Sequence, residues 1–445
     1  MTDTLPKPAA IRDLFAGDAR LQSWLDVEAA LALAEAELGM IPAAAANVIA
    51  AHARLDKIDT DAFAAAATRT RAPVLALVET LAEACGDDAG AYVHWGGTTQ
   101  NIIQTARTVQ MKKAHAALKR RLGSIFTKLA EMADESAQML VAGRSNRRQG
   151  LPITFGFKVA AWIEEMLRHK ARLTGAEGRV FVSQFGGALG AMHAFGEHGP
   201  ALNARVSERL GLTPTVVPSR ASLDHIAEYL QLLALLGGTC AKIAQEFYTL
   251  MTDEIGEAIE DVDDAVGSST MPQKVNSKIG VRVIANATRL RGHAVATLEA
   301  MQPSHEGDAA SNLVMYASID EGIPLAYELV TEFDEMLAAI HLKPEAMRRN
   351  LDATDGLIMA EKAMMLLAPH IGRTQAHHRV QESVKRARRE NCSFAAALAS
   401  MPDLPDSIDS ASLEAELQPE SYTGQSEPMA RASVARALEA AACLL

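Results

Sequence analysis

Three long stretches of apolar residues at helical spacing constrain this chain most strongly. The first recurs in steps of three and four residues, at Met111, Ala114, Leu118, Leu122, Ile125, Leu129 and Met132. The second runs over 223–250 and has small residues in its middle, at Gly237, Gly238 and Ala241; the third covers 281–301. Such spacing puts the apolar side chains on one face of a helix. We therefore predict long helices that bury one face, with a close helix approach at the small residues.

The length of these stretches indicates a helical bundle. Helices of roughly 30 residues exceed the globular average, about 11–12 residues, more than twofold. Apolar residues make up 49% of the chain and aromatics only 4%, so small and aliphatic side chains must fill the cores. That composition favours packed helices over sheets, and 179–182 is the one short strand candidate. Periodicity alone leaves a monomeric bundle and a bundle shared between subunits equally open.

Length and local composition suggest how the chain is divided. With 445 residues, two or three domains are expected. We place boundaries near 107, where the chain enters the long helices, and near 345, which gives segments 1–107, 108–345 and 346–445. The stretch 401–409 is rich in proline and acidic residues, which predicts a loop in the last segment.

Charge and cysteine usage narrow the class of protein. The net charge of −12 makes nucleic acid a poor partner, although a local Arg and Lys cluster can still bind an anionic substrate. The four cysteines, none spaced as C-x-x-C, predict reduced, buried thiols. The N-terminus has no signal-peptide pattern, and no uninterrupted apolar run reaches the roughly 18 residues of a membrane span. We predict a soluble cytoplasmic protein that binds neither nucleic acid nor membrane, with no metal site, because no cluster has metal-ligand spacing.

The segment 267–276 reads Gly-Ser-Ser-Thr-Met-Pro-Gln-Lys-Val-Asn and follows an acidic stretch at 260–264. Glycine permits unusual backbone angles, and serine hydroxyls are small enough to sit at a reacting carbon. Lys274 and Asn276 are two residues apart and can both reach one anionic oxygen. As separate fragments these are ordinary loop residues, but the ten-residue string is far more specific.

This string resembles the pattern G-S-S-x-M-P-x-K-x-N of the fumarase/aspartase superfamily. Residues 93–101 resemble that family's H-x-G-x-T-S-x-D, and residues 143–156 resemble its G-R-T-H-x-Q-x-x-x-P-x-T-x-G. Residues 184–188 and 348–352 look like the carboxymuconate cycloisomerase branch, which neighbours adenylosuccinate lyase. The resemblance implies an all-α, three-domain fold around a central long-helix bundle. It also implies a homotetramer whose active sites each combine segments of three subunits, and no cofactor.

The chemistry of this superfamily explains what the blocks are for. A proton leaves the carbon next to a carboxylate, and the resulting doubly charged aci-carboxylate must be held by preorganised donors. By resemblance, Ser268 is the general base, while Lys274 and Asn276 bind carboxylate oxygens. Thr98 and Thr99 resemble the hydroxyls that hold a second carboxylate.

The block at 143–156 keeps part of the family pattern and departs from it at three positions. Ser145 replaces a carboxylate-binding Thr, and Arg144 either contributes to the site or forms a structural salt bridge. The family's His is Asn146, which cannot titrate. The family's Gln is Arg148, which with Arg144 and Arg147 either binds a substrate carboxylate or forms a solvated basic loop.

A later block, 302–308, resembles the H-E-R segment of the cycloisomerase and adenylosuccinate branches, but Gly307 stands where those carry Arg. One cation is therefore absent at 307 and one is gained at 148, which predicts a relocated anion contact and an atypical substrate. His305 is a candidate substrate contact that forms a polar pair with Glu306; the alternative is a partly buried His held by that Glu.

The sequence thus predicts a lyase acting on a small anionic di- or tricarboxylate. The first hypothesis is β-elimination, by C–N or C–O cleavage of a substituted succinate, giving fumarate or a fumarate-like product, or the reverse. One alternative is lactonisation of the 3-carboxy-cis,cis-muconate cycloisomerase type. The other is a structural or regulatory relative without catalysis, against which the retention of Ser268, Lys274 and Asn276 argues. The leaving group stays open.

Overall fold

The computed structural model describes residues 5–261, 267–402, 404–405, 408 and 412–444. Helix accounts for 69% of the structure and strand for 5%, so the predicted all-α class is confirmed. The α-helices are α1 (Pro8–Asp13), α2 (Gly17–Glu37), α3 (Ala43–His52), α4 (Thr60–Thr70), α5 (Pro73–Gly90), α6 (Thr99–Glu135), α7 (Phe155–Val180), α8 (Gly199–Leu210), α9 (Asp224–Leu250), α10 (Gly280–Ala300), α11 (Ala309–Ala339), α12 (Pro344–Asp352), α13 (Ala360–Ile371), α14 (Arg373–Glu390), α15 (Phe394–Ala399), α16 (Leu413–Glu416) and α17 (Ser426–Ala442).

Short strands pair locally between the helices. An antiparallel hairpin joins β1 (Leu140–Ser145) to β2 (Arg148–Thr154). β3 (Val182–Ser183) is parallel to β4 (Thr213–Pro214), and β5 (Ala258–Glu260) is antiparallel to β6 (Ile340–Leu342). Single turns of 3₁₀ helix lie at Leu55–Lys57, Gly196–His198, Leu357–Met359 and Pro419–Ser421.

The chain forms two compact units. The first comprises residues 1–121, 169–240 and 285–331, and the second comprises 122–168, 241–284 and 332–445. Fully buried side chains of the first unit's N-terminal core include Leu25, Leu31, Ile49, Leu81 and Phe185. The corresponding core of the second unit includes Leu351, Met359, Ala363, Ala376 and Phe394. The three-segment division at 107 and 345 stays a prediction.

The three apolar stretches lie on α6, α9 and α10, as the periodicity predicted. α6 is 37 residues long, and its stripe residues Met111, Leu118 and Ile125 are buried. At Gly237 of α9, an added Cβ would lie 3.2 Å from Leu290 of α10 and 3.3 Å from Leu329 of α11. Only a glycine admits both neighbours at that distance without displacement, so Gly237 marks a close helix approach. At Gly238 an added Cβ would meet nothing within 4 Å, so the prediction does not hold there.

Ion pairs fix α6 against α11 within each unit. In the first unit, the Arg107 guanidinium donates to both carboxyl oxygens of Asp320, at 3.1 and 2.9 Å, and stacks 4.0 Å from the centre of the Tyr316 ring. In the second, Lys128 and Ser124 donate to Asp334 at 2.6 and 2.8 Å. Such partly buried pairs contribute little net stability, but they require one register of the two helices.

Two local predictions are corrected by the structure. The strand candidate 179–182 is wrong over most of its length: Arg179 and Val180 end α7, and β3 begins at Val182. The reason is the buried face of α7: Leu173, Ala176 and Val180 recur in steps of three and four residues and are all buried, so the helix continues to Val180. The predicted loop at 401–409 lies partly outside the described residues, and its described positions have no helix or strand.

The cysteines are less uniformly buried than predicted. Cys240 on α9 is fully buried, Cys85 and Cys392 are half-buried, and Cys443 is exposed. Cys443 is the C-cap residue of α17, beyond the buried face of that helix. The prediction of buried thiols therefore holds for Cys240 alone.

Among the described helices, α9 alone has the length and apolar composition of a membrane span. Its apolar window has a mean hydropathy of 1.2, and 61% of that window is buried inside the protein. A core helix of a globular protein has the same properties.

Glu35 of α2 makes the stability of the first unit depend on pH. Its side chain is fully buried, and neither carboxyl oxygen has a hydrogen-bond partner in the described structure. Burial, and then the nearby charge of Glu28, raises the pKa of Glu35 from 4.5 to about 9. Between these values the folded state holds a proton that the unfolded chain has lost. Stability therefore falls as pH rises through this window, by about 1.4 kcal/mol per pH unit.

Replacing Glu35 by Gln is expected to remove this pH dependence, because glutamine keeps the shape and cannot ionise. Urea unfolding measured from pH 5.5 to 8.5 tests it: the variant's free energy of unfolding should lose the downward slope. Glu79→Gln, a change at an exposed position of α5, is the control and should keep the wild-type slope. A wild-type slope in Glu35→Gln would contradict the assignment.

Candidate active site

The loop that carries the ten-residue string folds back on itself. The Ser268 N–H donates to the Lys274 carbonyl at 3.0 Å, and the Lys274 N–H donates to the Met271 carbonyl at 2.9 Å. A Cβ at Gly267 would overlap the carbonyl oxygen of Pro272, so only glycine fits where the loop closes. The string therefore encodes one compact loop that holds the serine backbone against that of the lysine.

The two serines of this loop differ in environment. Ser268 is half-buried, and its Oγ lies 3.4 Å from both the backbone nitrogen and the hydroxyl of Thr270. Ser269 is exposed. Donors directed at a serine oxygen favour its alkoxide character, which a serine base requires. The local geometry therefore distinguishes Ser268 from its neighbour.

Lys274 and Asn276 lie on the wall of a cleft of about 490 Å³ in the second unit. Asp253 and Glu260 line the same cleft, and Ser268 is not among its lining residues. Carboxylates on the wall oppose the binding of an anionic substrate in that cleft. The cleft thus brings together the two carboxylate-binding candidates of the loop but does not bring Ser268 to them.

Glu260 fixes the end of the loop where α10 begins. Its carboxylate accepts hydrogen bonds from the Ser277 hydroxyl at 2.9 Å and from the Ile279 and Gly280 backbone N–H groups, each at 3.0 Å, as well as from the Lys278 N–H. A carboxylate at a helix N-terminus satisfies unpaired N–H groups and interacts favourably with the helix dipole. Of the acidic stretch noted in the sequence, 262–264 lie outside the described residues.

The β1–β2 hairpin carries the second motif block. Its turn consists of Asn146 and Arg147, with φ of +50° and +62°, between the paired residues Ser145 and Arg148. A two-residue hairpin turn with both φ values positive favours Asn at the first position, because Asn tolerates the left-handed region. All four residues are exposed. The replacement of the family's His by Asn146 therefore has a local structural reason.

Arg144, one residue earlier, points its guanidinium at a buried carboxylate. Its two terminal nitrogens donate to Glu257 at 2.8 and 2.5 Å, and Glu257 also accepts from Asn350 of α12 at 2.8 Å. The hydrogen bonds that Arg144 donates to Glu257 raise the pKa of Arg144 further above its ordinary value. Glu257 is fully buried. This geometry favours the structural salt bridge that the sequence left open; a substrate contact by Arg144 stays a prediction.

The threonines of the first motif block lie at the start of α6, in the first unit. Thr99 is the first residue of the helix, and the carbonyl of Thr98 accepts from the Ile102 N–H at 3.3 Å. The early N–H groups of a helix have no partners within it and attract anions. Two hydroxyls at that position are suited to hold a carboxylate.

His94 is held just upstream of those threonines. Its Nδ1 lies 2.6 Å from a carboxyl oxygen of the buried Glu28. Burial lowers the pKa of His94, but the hydrogen bond and charge of Glu28 outweigh it, so the pKa is raised. The contact fixes the tautomer and orientation of the ring.

The block at 302–308 differs from the partly buried His–Glu arrangement offered above as the alternative. His305 and Glu306 are exposed, and the described contacts contain no hydrogen bond between them. His305 has a left-handed backbone, with φ of +51°. The buried His–Glu arrangement is therefore not formed, and a role for His305 at the substrate stays a prediction.

The structure also shows residues that the sequence did not single out. Glu257 and Glu260 orient the two motif segments of the second unit, through Arg144 and through the start of α10. Glu260 had no local signal, because the helix start that it binds is 17–20 positions away. Glu257 had none, because its partners are 113 and 93 positions away.

Comparison with known proteins defines the class of this chain. Residues 6–283 match the family model described as lyase, and residues 356–432 match the model of the adenylosuccinate lyase C-terminus. The chain belongs to this lyase family, within the fumarase/aspartase superfamily that the three motif blocks predicted. It is therefore an enzyme of the lyase class.

Individual relatives are similar over nearly the whole chain. Trans-aconitate decarboxylase 1 of Mycosarcoma maydis is 34% identical over 93% of this chain and 84% of its own length. N-acetyl-S-(2-succino)cysteine lyase of Dickeya dadantii is 34% identical over 93% of this chain and 91% of its own length. The crystal structure of beta-carboxy-cis,cis-muconate cycloisomerase from Acinetobacter calcoaceticus superimposes with a TM-score of 0.88 at 28% identity, covering 96% of this chain and 98% of that one.

Proposed function

We propose that this lyase catalyses β-elimination from a substituted succinate, releasing fumarate or a fumarate-like product, or the reverse addition. The observation that carries the proposal is the compact 267–276 loop, which sets a half-buried Ser268 hydroxyl apart from exposed Ser269. The similarity to a lyase named for a 2-succino substrate supports a substrate that contains a succinate unit. The substrate class is a small di- or tricarboxylate.

In the proposed mechanism, Ser268 takes the proton from the carbon next to one carboxylate. The electron pair left behind moves onto that carboxylate, and Lys274 and Asn276 hold the resulting aci-carboxylate. The electron pair then returns from the aci-carboxylate to form the C=C bond of the product, while the C–N or C–O bond on the adjacent carbon breaks and its electron pair leaves with the departing group. Thr98 and Thr99 at the start of α6, with Ser145 on the hairpin, hold the second carboxylate.

The residues of the hairpin turn determine whether the leaving group can receive a proton from this part of the site. Asn146 donates and accepts hydrogen bonds but cannot transfer a proton at neutral pH. The leaving group must then depart without protonation by this residue or take its proton from another group. Arg148 and His305 are further substrate contacts in this proposal. No cofactor or metal takes part.

A second candidate is lactonisation of a carboxymuconate. It is favoured by the match to a muconate cycloisomerase structure over 96% of the chain. It uses the same aci-carboxylate chemistry in the direction of addition, with a carboxylate of the substrate as the nucleophile.

A substrate screen separates these functions. Succinates with N-, O- and S-linked groups at carbon 2 are assayed for fumarate formation, 3-carboxy-cis,cis-muconate for lactonisation, and trans-aconitate for CO₂ release. Turnover of a substituted succinate alone is the expected result. Lactonisation or decarboxylation alone would replace the proposal, and inactivity towards all three classes would identify a relative that has lost catalysis.

We propose a homotetramer in which subunits share active sites, acting in the cytoplasm. Large apolar side chains of three long helices are exposed in the single chain: Leu235 of α9 at 53%, Val295 of α10 at 60% and Leu313 of α11 at 70%. Exposed apolar residues on long helices favour burial against other subunits. Four unpaired cysteines support a reducing compartment.

The tetramer has a direct test. Multi-angle light scattering at micromolar concentration is expected to give four times the 47.5 kDa mass of one chain. Leu313→Glu places a charge on an exposed apolar position and should shift the population to smaller species. A wild-type protein that elutes as a monomer would refute the proposal.

A further inference from the structure

Arg220, in the loop between β4 and α9, is held by the helix that begins with the two motif threonines. Gln100 and Gln104 of α6 each donate a side-chain hydrogen bond to the Arg220 carbonyl, both at 3.0 Å. Residues four apart lie on the same helix face, so the two amides act together. The backbone of Arg220 is thereby fixed beside the start of α6.

The guanidinium of Arg220 is bonded along one side only. Its Nη1 donates to the Ala188 carbonyl at 2.9 Å. Its Nε is buried and has no acceptor within the described structure, and Nη2 donates to no described residue either. Nε and Nη2 form one edge of the planar group, the geometry that binds a carboxylate through two parallel hydrogen bonds. An unpaired buried donor is unfavourable until an acceptor reaches it.

This unpaired edge faces Gly307. A Cβ at position 307 would lie 2.8 Å from Nε and 3.5 Å from Nη2 of Arg220. Gly307 also has φ of +153°, which side-chain-bearing residues rarely adopt. Any side chain there would push the guanidinium aside. Gly307 carries no cation of its own, and the absence of a side chain there leaves room for the guanidinium of Arg220.

Arg220 also lacks the neutralising partner that a neighbouring arginine has. Arg107 is paired with Asp320 at 2.9 Å, whereas no ion pair of Arg220 is found among the described residues. Both arginines act on Tyr316: burial raises the pKa of that phenol to about 12, and the charges of Arg107 and Arg220 oppose the rise. Arg220 is therefore an uncompensated positive charge in a partly buried region.

We propose that the Nε–Nη2 edge of Arg220 binds a third carboxylate of the substrate, beyond the two held by the loop and by the threonines of α6. The inference rests on the proposed function and makes the preferred substrate a tricarboxylate. It assigns the relocated anion contact to Arg220 in place of Arg148. Arg220 is then a specificity-determining residue that leaves the elimination chemistry itself unchanged.

The test compares binding of succinate and propane-1,2,3-tricarboxylate by isothermal titration calorimetry. Wild-type protein is expected to bind the tricarboxylate more tightly. Arg220→Met should weaken tricarboxylate binding about 10–100-fold, as for the loss of a two-fold charged hydrogen bond, and leave succinate binding within about twofold. Arg220→Lys keeps the charge without the fork and should lose less. Circular dichroism confirms that each variant is folded.

Two further variants complete the design. Arg69→Met, at an exposed position of α4, controls for the loss of an arginine charge and should bind both ligands as wild type does. Arg148→Met tests the rival assignment, in which Arg148 binds the third carboxylate. Unchanged tricarboxylate binding in both Arg220 variants, or a larger loss in Arg148→Met, would overturn the assignment to Arg220. The assignment to Arg220 would also be overturned if the wild-type protein binds succinate without preferring the tricarboxylate. If the wild-type protein binds neither ligand, the proposed function itself is refuted.

Discussion

Replacing Ser268 by alanine is expected to lower kcat by a factor of at least about 10²–10⁴, the usual contribution of a positioned general base. The change removes the group proposed to abstract the proton and leaves the carboxylate-binding groups in place. KM should therefore change little. Steady-state kinetics on the substrate found by the screen measures both constants.

The neighbouring serine is the matched control for this prediction. Ser269→Ala removes the same hydroxyl from an exposed position one residue away, and kcat should stay close to wild type. Lys274→Ala should behave differently from both, because the lysine charge stabilises the ground-state carboxylate and, more strongly, the aci-carboxylate. KM should rise and kcat should fall. If Ser269→Ala is the more damaging serine variant, the base has been assigned to the wrong residue.

Replacing Arg144 by methionine is expected to destabilise the protein by about 3–5 kcal/mol, because it leaves the carboxylate of Glu257 buried without its cation. Methionine preserves much of the side-chain volume, so the loss reports on charge and hydrogen bonds more than on packing. Urea unfolding at pH 7 measures the change in the free energy of unfolding.

The partner residue supplies the control. In Arg144→Met combined with Glu257→Gln, the buried charge is gone from both sides, and much of the lost stability should return. This recovery distinguishes the structural salt bridge from a substrate contact. If Arg144→Met unfolds like the wild type but raises KM, Arg144 binds substrate instead.

The helices were predictable from the sequence because their signal is local and repeated. The steps from Met111 to Leu129 determine a buried face without reference to any other element, and α6 follows them. The small residue Gly237 even predicted a close approach, although not that Leu290 and Leu329 make it. The motif loop was equally visible, since its ten residues are contiguous.

What escaped prediction depends on residues distant in the chain. Nothing near Arg144 indicates that Glu257 neutralises it. Gly307 looked like a lost cation, and only the three-dimensional structure shows Arg220 next to it. In each case a contact in space determined the outcome, and one-dimensional patterns carry no record of it.

The carboxylate of Glu260 has a consequence for the entropy of loop ordering. The conformational entropy lost when a segment becomes ordered grows with the number of residues that must be fixed. By binding Ser277, Lys278, Ile279 and Gly280, Glu260 fixes these residues in advance, so any change of loop conformation on substrate binding ends at Asn276. Asn276 is also the last residue of the loop proposed to touch substrate. The chain beyond Asn276 is already in place, so no binding energy from the substrate is needed to order it.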